Sequence, residues 1–420
     1  MFSRLAANLL ALTAATAAAP LNETEQRIAA AAEAGMATFA AELEAHVKIS
    51  SPTEDHAGVR RLGAWFEAEF ARLGFDVRWS PIPDAKRSGH VVAERRGAQG
   101  RRLLLIGHLD TVLPAGEFRI ENGRAYGSGT NDMKGGNLVL LHALRALHAA
   151  GALENTSIAA ILTGDEEDTG EPMSISRRDL YDLAARSDAA LAFETAIGNT
   201  GTVARRGFAS WTLEVQGATG HSSAIWGGAM GSGAIYETAR ILARWHEDLR
   251  KLDGITCNPA LIAGGTEAEA TGLEAKARGK TNIVPQRTVV KGDLRFLSAE
   301  QLAEAKLLMQ AAVAAHFPRT SAKLVFDEGT FPAMAPADGN YSLLKALDEA
   351  SRDLGYAAIT AYDPKARGAG DIAIISPPLP GLDGLGLRGS GAHAPGEWAD
   401  LTTAPEMVKR AALLIYRLTR

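Results

Sequence analysis

Apolar residues recur at intervals of three and four through "TEQRIAAAAEAGMATFAAELEAHVK" (24–48) and "GVRRLGAWFEAEFARLGF" (58–75), which predicts two helices, the second closed at Gly74. The pattern then changes. "DVRWSPI", "HVVAERRG" and "RRLLLIGH" are short apolar or alternating runs separated by Pro and Gly, and they read as strands. "GGNLVLLHALRALHAAG" (135–151) returns to a helical repeat, and "SIAAILTG" (157–164) is a continuous apolar run of the kind buried on both faces of a sheet. Helices alternating with such strands make the first half an α/β layer structure.

After "GNTGTVARRG" the texture shifts. "FASWTLEVQGATG" and "RTVVKGDLRFL" alternate like half-buried strands, with "GAIYETARILARWHEDLRKL" and "SAEQLAEAKLLMQAAVAAHF" as helices between and after them. A β-α-β-β-α order places two helices on one face of a small antiparallel sheet. The last stretch, with "YSLLKALDEASRDLG", "IAIIS" and "APEMVKRAALLIYRL", carries helix and strand signals that complete the first unit. The expected organisation is a catalytic domain of residues 20–206 and 329–420 with an insertion at 207–328.

The 420-residue length agrees with two cores. The net charge of -5 comes from 44 basic and 49 acidic residues with no basic stripe, which argues against a nucleic-acid partner. "MFSRLAANLLALTAATAAAP" sets Arg4 before a short apolar run and a small-residue ending, the pattern of a secretory signal peptide over residues 1–19. Its apolar run is too short for a stable membrane span, so the expected product is secreted or periplasmic and not anchored in a membrane. Cys257 is the single cysteine, so no intramolecular disulfide can form.

Candidate chemistry gathers where strands end. In "LLLIGHLDTV" a buried-strand run delivers His108 and Asp110 to the carboxyl end of a strand, where open α/β sheets bind ligands. With alternating side chains the two point the same way, so Asp110 can orient His108 while the other ring nitrogen binds a metal. Asp132 lies in the Gly-rich turn of "YGSGTNDMKGGN", "ILTGDEEDTG" crowds Asp165, Glu166, Glu167 and Asp168 after another strand, Glu194 ends "LAFE", and His393 sits in the loop "GSGAHAPGEWADL". Crowded carboxylates repel one another, and a divalent cation relieves that repulsion. Two histidines with three carboxylates suit zinc, with cobalt or manganese as substitutes, and exceed the needs of one catalytic ion. Two ions bridged by a carboxylate, about 3.5–4 Å apart, fit better, and the spare acid of the cluster is then a general base. Spacing does not say which of Glu166 and Glu167 takes which part.

Taken in order, "GHLDTV", "YGSGTNDMKGGN", "GDEED", "FET", "GHSS", "TNIVP", "GDLRF" and "GSGAHAPGE" resemble the M20 family of zinc exopeptidases, and within it the glutamate carboxypeptidases. The resemblance implies an α/β fold: a zinc-exopeptidase-like catalytic domain with a mixed sheet flanked by helices, plus an inserted α+β (ferredoxin-like) lid and dimerisation domain. It implies that His108 and Glu194 bind one zinc, that Glu167 and His393 bind the other, and that Asp132 bridges them. By the same resemblance Asp110 orients His108, Glu166 is the general base, and the peptide after Asp132 is cis. His221 of "GATGHSS" matches a histidine that reaches the cleft to stabilise the oxyanion, often from a neighbouring subunit, which implies a homodimer through the insertion. Asn282 and Arg295 match positions that hold the substrate's free carboxylate.

Two departures touch specificity: Thr330 stands about where the glutamate carboxypeptidases carry an arginine, and Gly370 where a threonine is common. The expected activity is removal of a C-terminal amino acid, acidic or otherwise, from a small peptide or N-acyl amino acid. An N-acyl-amino-acid amidohydrolase or aminopeptidase on the same scaffold is the nearest alternative. A non-catalytic metal-binding homologue is disfavoured, because it has no need of Glu166 and a closed structural site favours cysteines.

Overall fold

Six strands make the central sheet of the computed structural model, which describes residues 19–420 apart from positions 273 and 328. Apart from Ala19, the expected leader lies outside these residues. In spatial order the strands are Asp76–Pro81, Gly89–Arg95, Thr156–Thr163, Gln99–His108, Ala189–Ala192 and Gly381–Leu382. The first two pairings are antiparallel and the other three parallel, so the sheet is mixed. Alternation along Gln99–His108 feeds two cores. Leu103 and Leu105 pack with the helices Glu23–Val47, Lys134–Ala149 and Ala404–Leu418, while Leu104 and Ile106 join Leu180, Leu183 and Ile372 on the opposite face. Each leucine buried in this way contributes roughly 1.5–3 kcal/mol.

Local signals explain the element ends. Asn22 accepts from the Glu25 N–H at 2.9 Å while Glu25 reaches back to the Asn22 N–H at 2.9 Å, a reciprocal cap that starts the first helix. "IAIIS" forms a short helix, Ile372–Ile375, and not a strand. A four-residue apolar run has no readable period, and here Asp371 is drawn to the Thr163 hydroxyl at 2.6 Å and to Arg177 at 2.8 Å, which turns the chain before Pro377.

The strands Gly207–Gly217, Thr256–Gly265, Arg287–Phe296 and Thr320–Phe326 form a separate antiparallel sheet in the order second, third, first, fourth. The helices Gly233–Leu249 and Ala299–Ala314 lie together on one face, where Trp245, Ile241 and Met309 meet Trp211 and Leu213. This is the ferredoxin-like arrangement that the alternating pattern predicts. Among the described residues no helix is long and apolar enough to cross a membrane.

Candidate metal centre

Register aligns the carboxyl ends of three neighbouring strands. His108 pairs with Thr163 and Ile106 with Ala192, so the residues that follow, Glu166 and Glu167 on one side and Glu194 on the other, flank the His108 imidazole. Gly107 lets Asn137 close over the strand end. A Cβ there would lie 2.1 Å from Asn137 Oδ1, and the Asn137 amide donates to the His108 carbonyl at 2.6 Å. His108 Nδ1 lies 3.0 Å from the Asp110 carbonyl oxygen and 3.4 Å from its carboxylate, which leaves Nε2 facing Asp132 Oδ1 at 3.1 Å and Glu194 Oε1 at 3.6 Å.

Asp132 turns its other oxygen the opposite way. Its Oδ2 is 3.2 Å from His393 Nε2, which also lies 3.0 Å from Glu167 Oε2. The carboxylate therefore stands between two imidazoles instead of capping the helix that begins at Lys134, which has no side-chain cap. The peptide between Asp132 and Met133 is cis. His393 has a φ of 64°, a left-handed conformation that few non-glycine residues adopt outside constrained sites.

Two groups of donors lie within 4.8 Å of one another: His108 with Asp132 and Glu167, and His108 with Glu166 and Glu194. Glu167 Oε1 is buried without a hydrogen-bond partner, an oxygen with nothing in the protein to satisfy it. Burial, reinforced by Asp132, pushes Glu194 up to about 7, and burial with Glu194, Asp371 and Glu167 nearby raises Glu166 well above the usual carboxylate range. Hydrogen bonds to Asp132 and Glu167 lift His393 to about 10. Burial is the larger cause for the two glutamates, with neighbouring carboxylates adding to it, and clustered carboxylates of this kind are what a divalent cation compensates. The donor set, the unsatisfied oxygen and the charge all fit a metal site.

Only two of the four clustered acids face this centre. Asp165 is buried against Arg177 at 2.5 Å and the Ser176 hydroxyl at 2.6 Å, and Asp168 turns out to Arg87 at 2.5 Å. Asp110 does more than face His108: its oxygens accept from the Glu166 and Glu167 N–H groups, each at 3.1 Å, and from the Thr53 hydroxyl at 2.7 Å. It therefore fixes the acidic turn as well as the imidazole.

Sequence reasoning assigned no part to Glu397. This 5% exposed carboxylate accepts from the N–H groups of Gly129, Asn131 and Asp132 at 2.8, 2.8 and 2.9 Å, and so holds the turn that presents Asp132. Its position four residues after His393 in the same Gly- and Pro-rich loop was the available signal.

The remaining candidates lie elsewhere. His221 and Asn282 are neighbours: His221 bridges to Ile283, and the Ser222 N–H donates to the Asn282 carbonyl at 2.9 Å. Both lie in loops outside the strands, whereas Arg295 is near the end of the strand Arg287–Phe296, opposite Phe208 and with its Nε on Asp293 at 2.7 Å. Asn282 precedes the start of that strand, whose rise from Arg287 to Arg295 is roughly 26 Å. Asn282 and Arg295, which match positions that hold a substrate carboxylate, thus lie toward opposite ends of this sheet. No hydrogen bond or ion pair among the described residues ties His221, Asn282 or Arg295 to His108, Asp132 or His393. Gly370 has a local cause: a Cβ there would stand 2.7 Å from the Arg205 guanidinium carbon.

The family model described as peptidase family M20/M25/M40 matches residues 104–417. The chain is 30% identical to carboxypeptidase G2 of Pseudomonas sp. (strain RS-16) over 90% of its own length and 88% of that protein's. It is 25% identical to a succinyl-diaminopimelate desuccinylase of Nitrosospira multiformis, over 83% of this chain and 89% of that one. Among solved structures, a tripeptidase of Staphylococcus aureus superposes with a TM-score of 0.71 at 19% identity, covering 92% of this chain and 99% of the other. An M20 family metallo-carboxypeptidase of Sulfolobus solfataricus superposes with a TM-score of 0.65 at 17% identity, covering 90% and 98%; both likenesses concern the fold. With a matching family model over most of its length and a clustered carboxylate and imidazole donor set, the chain belongs to peptidase family M20/M25/M40, the metallohydrolases of peptide and amide bonds.

Proposed function

We propose that the protein is a di-zinc carboxypeptidase that releases a C-terminal amino acid from small peptides or N-acyl amino acids. The observation that carries this reading is Asp132, whose two oxygens face His108 and His393 separately. In this reading His108 and Glu194 hold one ion, Glu167 and His393 the other, and Asp132 both. Cobalt or manganese can substitute, since imidazole and carboxylate donors do not discriminate strongly. When bound, such ions polarise the amide carbonyl and acidify the attacking water.

The chain's own part is proton transfer and placement. Glu166, buried and raised in pKa, accepts a proton from the attacking water and returns it to the leaving amine nitrogen. Asp110 holds the Glu166 and Glu167 main chain and keeps the His108 tautomer with Nε2 directed at the centre. His221 and Asn282, neighbours in loops beside the separate sheet, act on the cleft of a second subunit, where His221 stabilises the oxyanion and Asn282 joins that subunit's Arg295 on the substrate carboxylate. Residues 207–328 are then lid and dimer contact in one. The exposed Ile235, Tyr236 and Ile262, together with the unpaired edge of the strand Thr256–Gly265, support a contact there. Secretion or periplasmic residence follows from the leader pattern at residues 1–19.

The test is steady-state hydrolysis of N-acyl amino acids and dipeptides with varied leaving residues, before and after chelation. Release of the C-terminal residue, lost on chelation and restored by zinc, is the expected result. Glu166→Gln is expected to lower kcat by about 10²–10⁴-fold while metal content stays at the wild-type level. A substrate panel turned over only when its amino terminus is free sinks the carboxypeptidase reading. The desuccinylase relative favours one second reading, an N-acyl-amino-acid amidohydrolase. Strict dependence on the acyl group with indifference to the leaving residue would select it.

A further inference from the structure

Glu194 divides its two oxygens much as Asp132 does. Its Oε1 lies 3.6 Å from His108 Nε2, toward the metal centre, and its Oε2 lies 3.8 Å from Nη2 of Arg205. His108, Glu166, Glu194, Arg205 and Asp371 line one small cavity, so the guanidinium borders the same space as the candidate ligands. Arg205 is buried, and each nitrogen of its guanidinium faces an acceptor. Nε donates to the Asp383 carboxylate, Nη1 to the Ala369 carbonyl, and Nη2 faces Glu194. A planar fork held at two corners has one direction left for the third.

The main chain fixes this arginine as firmly. The Arg205 N–H donates to the Met334 carbonyl and the Met334 N–H to the Arg205 carbonyl, each at 3.0 Å. Phe208 and Phe331 exchange bonds in the same way at 3.0 and 2.8 Å, so Arg205 sits where the chain enters and leaves the separate sheet. Asp383 is anchored in turn. It is buried, exchanges main-chain bonds with Thr202 at 2.8 and 3.0 Å, and accepts from the Glu194 N–H at 3.4 Å with the oxygen that Arg205 does not use. One buried acid therefore holds the main chain of Glu194 directly and its side chain through Arg205.

We infer that Arg205 is a positioning residue for Glu194: clamped by Asp383, it engages Oε2 and leaves Oε1 directed at a metal ion. The inference rests on the di-zinc reading, which assigns Glu194 to one of two ions. Among the described residues Arg205 makes no hydrogen bond or ion pair with Asp132, Glu167 or His393, the bridge and the ligands of the other ion in that reading. Loss of Arg205 therefore bears on one ion and spares the other. That asymmetry separates positioning from general support of the fold, whose loss would weaken both ions together.

The experiment is a zinc titration of the metal-free full chain in competition with a chromophoric chelator, so that the two binding steps are resolved. Arg205→Gln alone would leave Asp383 a buried acid without its cation, so the variant is the double change Arg205→Gln with Asp383→Asn, and Arg205→Lys stands beside it. In the double variant one zinc is expected to bind about 10- to 100-fold more weakly while the other keeps its wild-type affinity. Arg205→Lys, which keeps the charge without the fork, is expected to lose less affinity for the same ion. Two unchanged steps in a double variant that melts like the wild type overturn the inference, and so does equal weakening of both. If the double variant does not fold, Arg205→Lys decides: selective weakening supports positioning, and unchanged steps overturn it. A wild-type chain that binds a single zinc defeats the di-zinc reading instead, and Arg205 then stands or falls by whether that one affinity drops in the variants. A wild type that binds no zinc defeats both.

Discussion

Glu397 illustrates how a residue that touches no substrate can set the geometry of a centre. Its carboxylate accepts from three main-chain N–H groups around Asp132, and a glutamine of the same size would place an NH₂ against at least one of those donors. Glu397→Gln is expected to weaken zinc binding by about 10- to 100-fold, measured by competition with a chromophoric chelator, because the turn would no longer present Asp132 correctly. An unchanged affinity would reduce Glu397 to loop scaffolding. A second residue acts chiefly through burial. His46 is 1% exposed, wedged between Trp65 and Phe66, and neither ring nitrogen has a partner. Burial, with Lys134 nearby, pushes it down to about 3. An unfolded histidine titrates near about 6.5, so between these values the unfolded chain holds the extra proton and stability rises with pH. The contribution is complete above the unfolded value and is lost as pH falls toward the folded one, by at most about 1.4 kcal/mol per pH unit. His46→Phe is expected to flatten the melting temperature between pH 4 and 6.5, as followed by calorimetry; a slope equal to the wild type's would assign the acid sensitivity elsewhere.

At the scale of elements, the acidic turn after Thr156–Thr163 depends on a neighbouring helix. Arg177 ties Asp165 to Asp371, and so joins the turn carrying Glu166 to the loop that leads into Ile372–Ile375. All three side chains are buried, so removing the cation leaves two uncompensated carboxylates. Arg177→Met is expected to destabilise the fold by about 3–5 kcal/mol in urea unfolding, whereas breaking an exposed pair such as Lys345 with Glu349 is expected to change it little. A loss under 1 kcal/mol for Arg177→Met would mean that both acids are protonated or solvated in the folded chain. The same network explains why "IAIIS" could not be read correctly by pattern. Its conformation is imposed by what Asp371 bonds to, two hundred residues earlier in the chain.

At the scale of the whole molecule, the proposed function needs residues from opposite ends of one sheet. Arg295 lies beside the junction with the metal-bearing part, whereas His221 and Asn282 lie at the far end, and a rigid sheet cannot bring both to one substrate. A second copy can, by the self-complementary logic of a two-fold interface. Mixing His221→Ala chains with Glu166→Gln chains, each inactive alone, is therefore expected to restore about a quarter of the wild-type activity after subunit exchange, since half the dimers are mixed and each holds one intact site. Failure to complement, with exchange demonstrated by mass, would place His221 in its own chain's cleft or outside the chemistry.

The sequence alone was enough for the period of each long helix, the alternation of the separate sheet, and the donor types at strand ends, because these follow from local spacing and from the fact that a parallel strand delivers its carboxyl end to the cleft. It also carried the family, since ordered motifs outlast changes between them. What only the tertiary structure decided is which acids of "DEED" face the centre, because Arg177 and Arg87, distant in the chain, remove Asp165 and Asp168 from it. Tertiary structure also decided that Asn282 and Arg295 are apart, since strand register has no local signature. Pairing across a fold depends on the whole set of long-range contacts, and charge in the sequence records only that a group exists, not what it meets.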